Sequence, residues 1–94
     1  MTATISEHKA AANRQKLATA IGQVVKNFTM QNPDMSQDEV IAVLGFCAGS
    51  AIGAADARFN KRSLGEIAVR WMDDGLQVAT GKKSATVIMA RKLN

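Results

Sequence analysis

Apolar residues recur at helical spacing through three long segments of this chain. In the first segment, the positions that share one helix face are Leu17, Ile21, Val24, Val25 and Phe28. Their separations of three, four, seven and eight residues are typical of an amphipathic helix and not of a strand. We therefore predict a first helix over about 6–30. It should stop before Asn32-Pro33, because the residue before a proline is disfavoured in the helical region.

The second segment begins with a strong helix-start signal. Ser36 and Glu39 have the spacing of a capping box, in which each side chain satisfies a free backbone N–H group. From Val40 to Ala55 the chain carries no charge, and apolar or small residues point in every direction. A helix that is apolar all round is either central in a fold or spans a membrane. We predict a helix over about 37–58 that lies at the centre of the molecule.

The third segment has the clearest amphipathic stripe. Its apolar and small positions are Leu64, Ile67, Ala68, Trp71, Met72, Gly75, Leu76 and Ala79. Ser63 and Glu66 form a second possible capping box, Glu66 and Arg70 can pair at i, i+4, and Gly81 suits the position just after a helix end. These signals predict a helix over about 64–80.

The last segment, SATVIMARKLN, is ambiguous. Thr86-Val87-Ile88 has β character, whereas Ser84 could cap a short helix. Because a lone strand needs a partner, a helix is favoured, although a strand that pairs with another subunit stays open. The fold class predicted is all-α: one domain over 1–94, with three main helices and a short C-terminal element. Residues 1–5 are expected to be loosely ordered, and the order of 84–94 is left open.

The predicted core gathers the apolar faces of all three main helices around the second. Its members are Leu17, Ile21, Val24, Phe28, Ile41, Leu44, Ile52, Ile67, Trp71, Met72 and Leu76. Cys47 lies in the same apolar segment and is expected to be a buried, reduced thiol, since a buried free cysteine behaves as a small hydrophobe.

Glycines recur every fourth residue within the second predicted helix. Gly45, Gly49 and Gly53 form this row, and Ala57 extends it. Residues four apart lie on one ridge of a helix, and a ridge without side chains lets another helix approach closely. Since a glycine inside a helix costs about 1 kcal/mol relative to alanine, three in register indicate a compensating contact. We name Gly45, Gly49 and Gly53 the glycine ridge.

Three occupants of the glycine ridge fit the sequence. Another helix of the same chain could pack there, or a second copy could cover it in a two-fold homodimer. A membrane helix is the third interpretation, because glycines four apart also mediate association in membranes. The uncharged run of sixteen residues argues against it, since it would span about 24 Å and a hydrocarbon core is about 30 Å thick.

The charge pattern leaves nucleic-acid binding as the competing function. The chain has a net charge of +4 and a sequence pI near 9.7, but its basic residues are spread out. If the second and third helices formed a helix-turn-helix, Lys61, Arg62 and Arg70 would contact nucleic acid. Against this stand the apolar second helix, the acidic Asp73-Asp74 and the single Trp.

Catalytic chemistry finds little support in the sequence. His8 is the only histidine, Cys47 the only cysteine, and Asp73-Asp74 is interpreted as a surface charge cluster. No CxxC, HExxH or phosphate-loop motif occurs, so neither a metal nor another cofactor is predicted. A lone cysteine and no evident secretory signal favour the cytoplasm. The function predicted is a non-enzymatic interaction module whose partner is itself or another protein, with nucleic acid as the alternative.

Overall fold

The structure is a computed structural model, and it describes residues 5–93, with side chains from residue 8. It contains four helices: α1 (Ile5–Gln31), α2 (Gln37–Gly53), α3 (Lys61–Ala79) and α4 (Ala85–Ala90). The all-α class is confirmed, as are three long helices and a short C-terminal one. The tail is therefore helical over Ala85–Ala90, where the sequence left helix and strand open. The predicted loose order of 1–5 falls mostly outside the described residues.

Helix α1 turns into α2 through a short loop at Asn32-Pro33. The Asn32 side chain donates to the Phe28 carbonyl at 2.9 Å and closes the last turn of α1. Ser36 is the N-cap of α2 as predicted, but its hydroxyl makes no bond to a free helix N–H group. It donates instead to Glu39 Oε1 at 2.8 Å. The capping box therefore marks the helix start correctly, while its bonding differs.

Two helix boundaries around the 54–60 link differ from the sequence prediction. Helix α2 ends at Gly53 and not near 58, so Ala57 lies in the following turn and does not extend the glycine ridge. Helix α3 begins at Lys61, three residues early, and its N-cap is Asn60, whose side chain accepts from the Ser63 N–H at 3.1 Å. The second capping box was wrong because asparagine is also a strong N-cap.

The end of α3 follows its sequence signal. Gly81 has a φ of +78°, the left-handed conformation that glycine adopts without a steric penalty. The Lys82 N–H donates to the Gln77 carbonyl at 2.8 Å, and the Gly81 N–H donates to the Val78 carbonyl at 3.1 Å. This pair of bonds is a Schellman motif, and it turns the chain back toward α4.

Helix packing follows the order α1, α4, α3, α2, in which each helix contacts the next. The side chains that join α1, α3 and α4 gather around Trp71. Arg14 of α1 donates to the carbonyls of Met89 and Arg91 at 2.9 and 2.7 Å. The Arg91 guanidinium lies 5.0 Å from the centre of the Trp71 ring. A cation over an aromatic face at this distance is stabilising.

An internal ion cluster strengthens the same junction. Asp74 of α3 is 2% exposed and accepts from Arg91 at 2.5 Å and from Lys83 at 2.9 Å. The hydrogen bond from Arg91 first, and that from Lys83 second, lower the pKa of the Asp74 carboxyl below its ordinary 3.8. The prediction of a surface acid cluster is therefore wrong for Asp74, whereas Asp73 is exposed.

The predicted core does not form within one chain. Among residues 8–93, Ile88 is the one buried apolar residue, and α2 contains no buried residue. Ile52, Ile67 and Trp71 are half-buried. The other predicted core residues are exposed, namely Leu17, Ile21, Val24, Phe28, Ile41, Leu44, Met72 and Leu76. The prediction that α2 lies at the centre is thus wrong for the isolated chain.

Candidate interaction surfaces on helix α2

Nothing in the same chain covers the glycine ridge. A Cβ atom added at Gly45, Gly49 or Gly53 would meet no atom within 4 Å, the helix's own backbone aside. The intrachain interpretation of the ridge is therefore wrong. A second copy or another partner is what could still exploit the close approach that the ridge allows.

The opposite side of α2 faces an apolar groove. The groove lies between α1 and α2, and we name it the α1–α2 groove. It has a volume of about 580 Å³ and is lined by Ala20, Ile21, Val24, Val25, Phe28, Thr29, Met35, Val40, Val43, Leu44 and Cys47. At about 100° per residue, the α2 side chains in the groove point about 170° away from the glycine ridge. Helix α2 thus presents apolar surface on two opposite sides.

Cys47 lies on the groove side of α2 and is exposed. The expectation of a buried thiol is therefore wrong in the single chain. The sequence correctly placed Cys47 in an apolar segment, but an apolar segment is buried only if something packs against it. Here the neighbouring α1 stripe lies across an open groove.

The exposed apolar side chains form continuous surfaces and are not scattered. Leu17, Val24 and Phe28 on the α1 stripe are 54–67% exposed. On α3, Trp71 and Ile67 are half-buried, whereas Met72 and Leu76 on the other edge of the same stripe are 64% and 63% exposed. Isolated exposed apolar residues are normal, but large contiguous patches mark interaction sites.

The accessible surface and the radius of gyration show that the single chain is more open than a compact domain of its size. Its accessible surface is 7655 Å² for a mass of 10.0 kDa, whereas a compact monomer of this mass has about 5,200 Å². The radius of gyration is 14.9 Å, against about 12.4 Å for a compact domain of this length. One copy exposes about 2,400 Å² more than a compact monomer would.

The three predicted nucleic-acid contacts are not presented together. Lys61 donates to the Gly53 carbonyl at 3.1 Å, Arg62 lies 3.6 Å from Glu66, and Arg70 donates to the Leu93 carbonyl. The predicted Glu66–Arg70 pair is thus replaced by Arg62–Glu66. Along α3, Arg62 and Arg70 point about 80° apart and line one shallow surface depression with Glu66. Lys61 points about 180° from Arg70, so it does not share that face.

Metal ligation would be one further kind of site. In the part of the chain that the structure describes, no three His, Cys, Asp or Glu side chains come together as metal ligands. No helix within residues 5–93 has the length and apolar character needed to cross a membrane.

No protein-family model, curated protein or solved structure matches the chain.

Sequence reasoning missed the most completely buried polar group, Asp74. Its partners Lys83 and Arg91 lie nine and seventeen residues further along the chain, so no local pattern connects them. One signal was present: Asp74 shares a helical face with Ile67, Trp71 and Val78, at spacings of three, four and seven residues. An acid on the half-buried side of α3 needs a cationic partner.

Proposed function

We propose that this chain is a non-enzymatic helical interaction module that self-associates through the glycine ridge of α2. The observation that carries the proposal is the open space beside the ridge on a helix that has no buried residue. An apolar helix surface that stays in water forgoes stability, because each buried Å² contributes about 25 cal/mol. Assembly supplies the missing burial.

A two-fold contact suits the ridge, because the same patch then meets itself. Two glycine ridges can approach closely and cross at about −40° to −50°. No charged residue lies between Val40 and Ala55, and the charge nearest the ridge is Lys61, which donates to the Gly53 carbonyl at one end of it. The contact needs no other protein, because the glycine ridge of one copy packs against the glycine ridge of the other.

Light scattering and sedimentation over a range of concentrations test the proposal. The native chain is expected to associate, and Gly49→Leu is expected to weaken association strongly, because the new side chain holds the two helices apart. Gly22→Leu is the matched control. Gly22 is also a helical glycine with no atom within 4 Å of an added Cβ, but it lies on α1. A native chain that stays monomeric at high concentration contradicts the proposal.

Nucleic-acid binding through Lys61, Arg62 and Arg70 stays a prediction. Arg62 and Arg70 share one surface depression, but Lys61 points away from it and Arg62 is paired with Glu66. Salt dependence distinguishes nucleic-acid binding from self-association. Binding to phosphates weakens steeply as salt rises, whereas an apolar helix contact does not. Retention on heparin that is lost in Arg62→Gln would favour it over the self-associating module.

A further inference from the structure

The α1–α2 groove is apolar along both of its walls. Ile21, Val24 and Phe28 form the α1 side, and each is at least 46% exposed. Val43 and Leu44 of α2 face them and are 51% and 41% exposed. Side chains this large, arranged along two helices, present a binding surface of the kind that receives the apolar face of a helix.

The groove offers few polar groups to orient a small molecule. Thr29 and Cys47 are the lining residues whose side chains can hydrogen-bond. The Thr29 hydroxyl lies 2.9 Å from the Val25 carbonyl and 3.1 Å from the Lys26 carbonyl, so it is turned back to its own helix. Sites for small molecules usually fix their ligand through several placed polar groups. This groove therefore favours a helix over a metabolite.

We propose that α1 and α2 of a second copy fill this groove with their apolar side chains, so that α1 and α2 from two copies form a four-helix core. The inference rests on the proposed self-association and adds a second contact to it. A two-fold axis through the groove lets α1 and α2 of each copy supply the apolar side chains that cover the other copy. This groove contact buries the apolar stripe of α1, which a contact at the glycine ridge leaves exposed.

The exposed area indicates more than one contact. A standard interface buries about 800 Å² on each partner, and this chain exposes about 2,400 Å² beyond a compact monomer. A steep crossing of two α2 helices covers the ridge side, and the groove opens on the opposite side. An assembly that uses both contacts contains two kinds of two-fold axis, and its smallest closed form is a tetramer.

Cys47 provides a direct probe of the groove in the native chain. It is the only cysteine, it lines the groove, and it points away from the glycine ridge. The rate at which Cys47 reacts with an aromatic disulfide reagent is measured across the concentration range of association, with the chain in urea giving the unhindered rate. We expect the rate to fall several-fold as the chain assembles.

The outcomes separate this inference from the proposed function. A tetramer with protected Cys47 supports both. A dimer with reactive Cys47 overturns the groove contact and leaves the ridge contact standing. A dimer with protected Cys47 that survives Gly49→Leu supports the groove and overturns the ridge. A chain that stays monomeric overturns both contacts. Protection of Cys47 in the monomer overturns the groove contact, because closure of the groove within one chain or a bound small molecule would then explain the slow reaction.

A matched pair of variants on α1 gives a second measurement. Phe28→Glu places a charge on the groove wall and is expected to raise the dissociation constant at least about tenfold, because the lost apolar burial exceeds the free energy of a tenfold change. Met30→Glu makes the same kind of change two residues on, at a side chain that is 71% exposed and outside the groove. Equal association of the two variants overturns the inference. If Phe28→Glu fails to fold, the Cys47 measurement on the native chain decides.

Discussion

Gly49 combines an intrinsic cost with open space around it. In the single chain nothing lies within 4 Å of an added Cβ, so a methyl group would meet no obstacle there. A glycine at such a site lowers helix stability and gains nothing within the chain. The presence of three such residues in register is what motivates the proposed approach of another helix to this side of α2.

Gly49→Ala is expected to act in opposite directions on folding and on assembly. It should stabilise the unassociated helix by about 1 kcal/mol, because alanine has the higher helix propensity. It should also raise the dissociation constant, since the methyl group separates the ridges. Urea unfolding at low concentration and sedimentation at high concentration measure the two effects. Gly22→Ala should show only the first, and identical behaviour of the two variants would contradict the ridge contact.

Asp74 is a buried acid whose contacts lie within the single chain. Its carboxylate is compensated by Arg91 and Lys83, and its pKa is lowered by both. A group whose pKa is lower in the folded state stabilises the fold above its unfolded pKa. That stabilisation is lost as the pH falls through the folded value.

The thermal midpoint of the native chain should therefore fall below that of neutral conditions as the pH drops from the ordinary Asp value of 3.8. Asp74→Asn should be less stable than the native chain at neutral pH, because Arg91 and Lys83 lose their anionic partner. The difference between the two should shrink in acid. Trp71, the only tryptophan, lies beside Arg91 and reports unfolding by fluorescence. A difference that stays constant from neutral to strongly acidic pH would rule out this role.

At the scale of the element, the boundaries of α3 show how much local sequence can decide. Gly81 correctly marked the helix end, because a left-handed residue there is demanded by the local backbone alone. The helix start was misplaced, since Asn60 and Ser63 are both good N-cap residues and only the backbone conformation distinguishes them. Asn60 has the extended conformation of an N-cap, with a φ of −77° and a ψ of 116°.

Asn60→Ala is expected to destabilise the fold by about 1 kcal/mol, because the Ser63 N–H loses its side-chain acceptor. Ser63→Ala keeps that N–H group and should change the free energy of unfolding much less. Urea unfolding of the two variants at one concentration compares them. The reverse order of effects would restore Ser63 as the helix cap.

Helix α2 illustrates where reasoning from one element ends. Its lack of charge from Val40 onward predicted a helix that is covered on every side, but α2 has no buried residue in the single chain. The inference that α1 and α3 of the same chain cover it failed, because each offers only one stripe. Helix α1 leaves an open groove beside α2, and the side of α3 that carries Trp71 and Asp74 packs toward the end of α4.

At the scale of the whole molecule, one copy is too open for its mass. If each copy lost its excess surface on assembly, it would bury about 2,400 Å², which corresponds to about three standard interface faces of 800 Å². The stability of a protein that buries so much surface on assembly is inseparable from its concentration. Folding and assembly are then a single process for much of the apolar surface.

The midpoint of thermal unfolding is therefore expected to rise with protein concentration, because assembly binds the folded chain and not the unfolded one. It should not fall as salt is raised, since the contacts are apolar and are not weakened by screening. Calorimetry over a range of concentrations checks both statements. A midpoint that is independent of concentration would mean that the single chain is stable as it stands.

The sequence by itself determined the helices, because hydrophobic spacing, N-cap residues, Gly81 and Asn32-Pro33 act within a few residues of one another. It also predicted that other helices cover α2 and that one approaches the glycine ridge, and both stay predictions. Only the tertiary structure decided that no helix of the same chain covers the ridge, that Cys47 lines an open groove and that Asp74 is buried. These outcomes depend on contacts between residues far apart in the chain, whose direction no local pattern contains.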